Sequence, residues 1–155
     1  MNLNFNNVHD FTEVIPPITV WLTGLSGAGK STVASLVSQK LTSINVANRV
    51  LDGDDLRGGL CSGLGFSKED RHENIRRVGE LSKILNECGF ITICALISPY
   101  RDDRVMVREI VGCEDFIEIY CDCELEVCEK RDPKGLYKLA RSGVLKGFTG
   151  IESPY

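Results

Sequence analysis

Gly24-Leu25-Ser26-Gly27-Ala28-Gly29-Lys30-Ser31 fits the pattern G-x-x-x-x-G-K-S/T at every fixed position. Each residue type has a physical reason. Glycines let the backbone curl so that successive N–H groups point inward at phosphate oxygens. The helix that starts at the end of such a loop adds the positive end of its dipole. Lys30 then neutralises β- and γ-phosphates, and the Ser31 hydroxyl is placed to ligate Mg²⁺. The pattern therefore predicts nucleoside triphosphate binding through Gly24, Leu25, Ser26, Gly27, Ala28, Gly29, Lys30 and Ser31, with Thr32 directly after them. It does not say what accepts the phosphoryl group.

An acceptor must be held by residues elsewhere. In open parallel sheets, ligands sit beyond the C-terminal ends of the strands. Three chain segments qualify: Asp52-Gly53-Asp54, Ile97-Ser98-Pro99-Tyr100-Arg101, and Asp122. One aspartate at a strand end is usually a turn or cap residue. Two beside a phosphate loop favour metal or proton chemistry. Arg57, Arg71 and Asn74 come next. Arg71 and Asn74 are three apart in the first turns of a helix and share a face, which suits an anionic acceptor. His72 has no partner recognisable in the sequence and is expected on the solvent side. The segment from Arg131 through Gly150 is basic and glycine-punctuated. It occupies the place of a lid in small kinases of this type, although composition alone fits a surface helix and tail equally well.

The elements that must position these groups follow from pattern. Ile18–Thr23 is an apolar run suited to a buried parallel strand. A helix from about Ser31 carries Val33, Leu36, Val37 and Leu41 on one face. Arg49–Leu51 is a second strand ending at Asp52, and Gly53–Phe66 reads as a loop. Ser67 is a good N-cap for a helix running to about Cys88, with Gly89 closing it. Phe90–Ile97 and Phe116–Cys121 are further strands. Helices are expected over 102–111, 124–130 and 134–142, and Val144–Tyr155 is irregular. Alternating strands and helices predict an α/β, three-layer fold with a parallel sheet covered on both faces. The expected organisation is a polar lead-in over 1–17 and one domain over 18–155.

Composition narrows the class. The net charge of −4 and pI near 5.2 argue against a nucleic-acid or membrane-surface protein. The first 29 residues hold no Lys or Arg, so neither a signal nor a transit peptide is expected. The seven cysteines are odd in number, and several sit in apolar patterns. They read as buried thiols in a reducing, cytoplasmic setting. Cys121, Cys123 and Cys128 lack paired zinc-site spacing and read as core packing.

Taken together, WLTGLSGAGKST at 21–32, LDGD at 51–54, GLGF at 63–66, DRHENIRR at 70–77, ISPYR at 97–101, DR at 103–104, CEKRDPKGLYKLAR at 128–141 and KGFTGI at 146–151 resemble the adenylyl-sulfate kinase family. The order and approximate spacing match over residues 18–155. The resemblance implies the P-loop kinase fold, with strand order 2-3-1-4 here. It also implies transfer of the γ-phosphate of ATP to the 3′-hydroxyl of adenosine 5′-phosphosulfate, with Mg²⁺. Lys30, Asp54 and Ser98 are then the expected catalytic residues, although direct in-line transfer is favoured over a phosphoserine at Ser98. Asp54, Arg57, Phe66, Arg71, Asn74, Ile97, Ser98, Lys134, Gly135, Leu136 and Phe148 are the expected acceptor contacts, with Phe66 and Phe148 sandwiching the adenine. A homodimer is implied by family analogy.

The chain departs from the family pattern at Asp55, Gly58, Cys61 and Ser62. The family's sheet usually continues past the equivalent of Pro154-Tyr155 into a fifth strand and a last helix. Without that strand, Phe116–Cys121 is expected to be an open edge, with weak ATP binding and self-association as consequences. Two other readings share the architecture: a kinase acting on a sugar or carboxylate, and a nucleotide-binding module without turnover. The aromatics favour the purine acceptor over the former.

Overall fold

The computed structural model describes residues 15–155. Its elements run β1 (Thr19–Thr23), α1 (Lys30–Ser43), β2 (Asn48–Asp52), α2 (Gly53–Arg57), α3 (Lys68–Glu87), β3 (Ile91–Ala95), α4 (Arg101–Val111), β4 (Phe116–Tyr120), α5 (Leu125–Arg131) and α6 (Leu136–Arg141). Residues 1–14 of the expected lead-in lie outside the described residues. The four strands are parallel in the order β2-β3-β1-β4. That is the expected order, and it brings the C-terminal ends of β1, β2 and β3 to one edge.

Two apolar layers sandwich the sheet, and the strands feed them alternately. Trp21 and Cys94 point into a core shared with Ile75 and Val78 of α3 and Val107 of α4. Their neighbours Leu22 and Ile93 point the other way, against Ala34, Val37 and Leu41 of α1. This period of two within a run that is apolar throughout is what a strand buried on both faces requires.

Several local expectations change. On α1 the buried position is Ala34, while Val33 and Leu36 are exposed. Val37 and Leu41 do pack, so the stripe runs 34, 37, 41. A small alanine lets the helix backbone approach the sheet, and two large side chains there would hold it off. The region 53–66 does not open as a loop: Asp52 accepts from the Asp54 amide at 3.0 Å and starts α2. Ser67 caps α3 as expected, accepting from the Asp70 amide at 3.1 Å. His72 does have a partner. Its Nδ1 lies 2.7 Å from Oδ1 of buried Asp103, tying α3 to α4. All seven thiols are free. Cys61, Cys94 and Cys128 are buried, but Cys88 and Cys113 are exposed. Cys121 packs against the α1 core, and Cys123 and Cys128 belong to a third cluster described below.

Candidate active site

Beyond the strand ends lies one cavity of about 950 Å³. That is roomy for one ligand by the usual scale of roughly 300–1,000 Å³. β1 delivers the phosphate loop to it. Gly24 has φ 140°, and a Cβ there would sit 2.7 Å from the Cys121 carbonyl oxygen, so only glycine fits between β1 and β4. Gly29, with φ 98°, takes the left-handed turn from which α1 starts. Ser26, Gly27, Gly29, Lys30, Ser31 and Thr32 line the cavity. Gly24, Leu25 and Ala28 lie off its wall. The Leu25 side chain is buried, in the third cluster.

Lys30 is buried, and its Nζ donates to the Gly24 carbonyl at 2.9 Å and the Leu25 carbonyl at 2.7 Å. These are neutral acceptors, so burial dominates and holds the ammonium down at about 8. Ser31 Oγ donates to Asp52 Oδ2 at 2.6 Å. Sequence reasoning placed Asp52 at the strand end but did not assign it to the site. The hydroxyl and carboxylate together offer two hard oxygens beside Lys30, the donor type a Mg²⁺ ion takes.

Nucleotide binding should report the state of Lys30. A phosphate favours the protonated amine, so binding raises its pKa above 8 and takes up a proton between the two values. Below about 8 the amine is charged with or without ligand, and affinity does not vary on its account. Above that, ATP affinity is expected to fall as pH rises, with log Kd approaching a slope of about one. Calorimetric titration from about pH 7.5 to 9.5 measures this, and a flat profile would contradict it.

The rest of the cavity wall draws on β2, α2, α3, β3 and the segments beside them. Asp54, Arg57, Phe66, Arg71 and Asn74 all line the same cavity. The two arginines first organise the wall. Arg57 donates to the Leu64 and Gly65 carbonyls, and its guanidinium lies 4.3 Å from the Phe66 ring centre. Buried Arg71 donates to the carbonyls of Phe66 and Gly147. Through Arg71 the loop before α3 is bonded to the segment that carries Phe148. Asn74 is buried, and its Oδ1 has no hydrogen-bond partner among the described residues. Phe66 is half exposed and Phe148 buried.

Ile97, Ser98, Lys134, Leu136 and Phe148 also line the cavity, while Gly135 lies off its wall. Lys134 forms an ion pair with Asp54, joining the segment after α5 to the end of β2. Ser98 lines the cavity and is hydrogen-bonded on its other side. It is buried with φ 35°, accepts from Trp21 Nε1 at 3.0 Å and donates to Thr23 Oγ1 at 2.8 Å. The Leu96 carbonyl, at 3.4 Å, is a second acceptor for the same hydroxyl. Arg131 was missed as a site residue. Its Nη1 donates to the Gly27 carbonyl at 3.1 Å, and it lines the cavity. Only its place in a basic segment signalled it in the sequence.

Comparison with known proteins gives the same picture. The family model described as Adenylylsulphate kinase matches residues 16–155. The chain is 60% identical over 136 residues to an adenylyl-sulfate kinase of Acaryochloris marina, covering 88% of this chain and 66% of that protein. It is 56% identical to one of Clostridium kluyveri, covering 89% and 69%. The chain thus spans about two thirds of the length of these curated relatives. Its structure superposes on the Mycobacterium tuberculosis APS kinase in complex with AMPPNP and APS with a TM-score of 0.88. Identity there is 48%, over 90% of this chain and 82% of that one. A hexameric APS kinase from Thiobacillus denitrificans is 33% identical with a TM-score of 0.64, covering 86% of this chain and 30% of that chain. A phosphate loop, an arginine- and phenylalanine-lined wall facing it, and a family match over nearly the whole length converge: this chain belongs to the adenylylsulphate kinase family.

Proposed function

We propose that this chain transfers the γ-phosphoryl group of ATP to the 3′-hydroxyl of adenosine 5′-phosphosulfate, yielding 3′-phosphoadenosine 5′-phosphosulfate and ADP. The observation that carries this reading is that the phosphate loop and Phe66, Phe148, Arg57 and Arg71 line the same cavity. Guanidinium groups and aromatic faces suit an acceptor that is a flat purine with an anionic tail. A sugar or carboxylate acceptor needs no such faces. The family membership supports the same substrate, and residues 18–155 act as one kinase domain.

In this reading Lys30 holds the β- and γ-phosphates. Ser31 would hold Mg²⁺, with Asp52 as its near partner; the ion supplies charge neutralisation on the phosphates. Asp54 orients the 3′-hydroxyl and accepts its proton, and Lys134 holds that carboxylate in place. Arg57, Arg71 and Asn74 bind the phosphosulfate end. Ser98 positions the end of β3 through Trp21 and Thr23, and the phosphoryl group passes directly between the two nucleotides. The reaction belongs to sulfate activation in the cytoplasm, a setting supported by the seven free thiols. Among the described residues no helix is long and apolar enough to cross a membrane. A homo-oligomer is supported by the hexameric relative.

Phe148→Ala tests the assignment of the two sides. Stacking on a base contributes about 1–3 kcal/mol by alanine substitution. Adenylyl sulfate should therefore bind roughly 5- to 150-fold more weakly, with ATP changed far less. Parallel titrations measure both. Equal weakening of the two nucleotides would remove Phe148 from the acceptor wall.

A further inference from the structure

A third apolar cluster lies apart from the two that hold the sheet. It contains Leu25, Cys128, Tyr137, Ala140 and Phe148. Leu25 belongs to the phosphate loop and Phe148 to the acceptor wall, so one packed unit has a member in each half of the site. Tyr137 joins them twice. Its ring meets Phe148 edge-on, with centroids 5.0 Å apart and planes at 86°. Its hydroxyl donates to the Ser26 carbonyl at 2.9 Å. Burial raises its phenol above the ordinary range, so it remains a donor at neutral pH. The chain just past Phe148 closes on the same place, since a Cβ at Gly150 would lie 3.0 Å from Leu25 Cδ2.

The nucleotide side is connected through Lys30. Its ammonium donates to the carbonyls of Gly24 and Leu25. A phosphate is the stronger acceptor, because hydrogen bonds between charged groups are roughly twice as strong as neutral ones. When the ammonium turns to phosphate, the Gly24 carbonyl loses that donor and the Leu25 carbonyl keeps only the Ala28 amide, at 3.2 Å, so the Gly24–Ser26 backbone resettles. Packed interiors shift between discrete arrangements rather than deforming smoothly. A change at Leu25 and Ser26 therefore reaches Tyr137, and with it the ring of Phe148.

We propose that Tyr137 is a positioning residue that couples nucleotide occupancy of the phosphate loop to the placement of Phe148 against the acceptor. This rests on the reading above that Phe148 faces the acceptor purine. Ser26 presents a backbone oxygen, so the Tyr137 hydrogen bond follows the conformation of the loop itself. Loss of the hydroxyl leaves the ring, and its contact with Phe148, in place. The link to the loop is cut while the acceptor wall is kept.

The test is the dissociation constant of adenylyl sulfate, measured by calorimetry with and without a saturating non-hydrolysable ATP analogue. Couplings between sites commonly run about 5- to 150-fold. In the wild type the analogue should tighten adenylyl sulfate by at least about 5-fold. In Tyr137→Phe the two constants should agree within about 2-fold, with the analogue-free value and the melting temperature near wild type. A folded Tyr137→Phe protein that keeps the wild-type ratio overturns the proposal, and so does a wild-type ratio of one. Leu25→Val, which trims the same cluster from the loop side, should also reduce the ratio. It decides the matter if Tyr137→Phe does not fold. A wild-type protein that binds the analogue but not adenylyl sulfate sinks the functional reading itself. Binding of both without coupling sinks only the role of Tyr137.

Discussion

Asp54→Asn is expected to lower kcat by roughly 10²–10⁴-fold, the range for removing a general base. The substitution keeps the size of the side chain and removes its charge. It also removes the ion pair with Lys134, which joins the end of β2 to the segment after α5. Some rise in KM should accompany the loss, because that segment carries acceptor-wall residues. The fall in kcat should nevertheless dominate, since an amide cannot take the proton from the attacking hydroxyl. Steady-state kinetics in both substrates separates the two effects. A change confined to KM would reduce Asp54 to a binding residue.

Lys30→Ala should lower kcat by on the order of 10²-fold or more, the scale of losing one preorganised electrostatic group. Lys30 is buried, and its ammonium donates to the phosphate-loop carbonyls themselves, whereas the other lysines lining the cavity, Lys134 and Lys146, lie outside that loop. Of these two, Lys134 is paired with Asp54. The alanine variant also removes the ammonium from the Gly24 and Leu25 carbonyls, leaving Leu25 only the longer bond from the Ala28 amide. A melting curve must therefore accompany the kinetics. A folded variant with near-wild-type turnover would refute the role of the loop in transfer.

Much of this architecture was legible because its determinants are local. The phosphate loop is a fixed spacing of glycines, a lysine and a serine, and its strand and helix follow directly in the chain. Ser67 announced α3 by a hydrogen bond only three residues long. The strand order agreed with the one implied by the family resemblance. What escaped depends on contacts between residues distant in sequence. The His72–Asp103 pair spans 31 residues, Ser31–Asp52 spans 21, and Tyr137–Ser26 spans 111. No periodicity encodes such pairs. The buried stripe of α1 misled for a related reason. Hydrophobicity alone favours Val33 and Leu36, whereas how closely the helix can approach the sheet favours Ala34. The family resemblance is what marks Ser98 in the sequence, and its bonds to Trp21 and Thr23, 77 and 75 residues away, are not readable there.

The central claim is that one cavity binds ATP and adenosine 5′-phosphosulfate and passes the phosphoryl group between them. ADP release by the purified chain, with Mg²⁺ and ATP present, tests it most directly when adenylyl sulfate is compared with a sugar acid as acceptor. The product should be identified by chromatography. ADP should form in step with 3′-phosphoadenosine 5′-phosphosulfate, and only when adenylyl sulfate is supplied. ADP formation that follows the sugar acid, or none with either acceptor in a folded protein that still binds ATP, would contradict it.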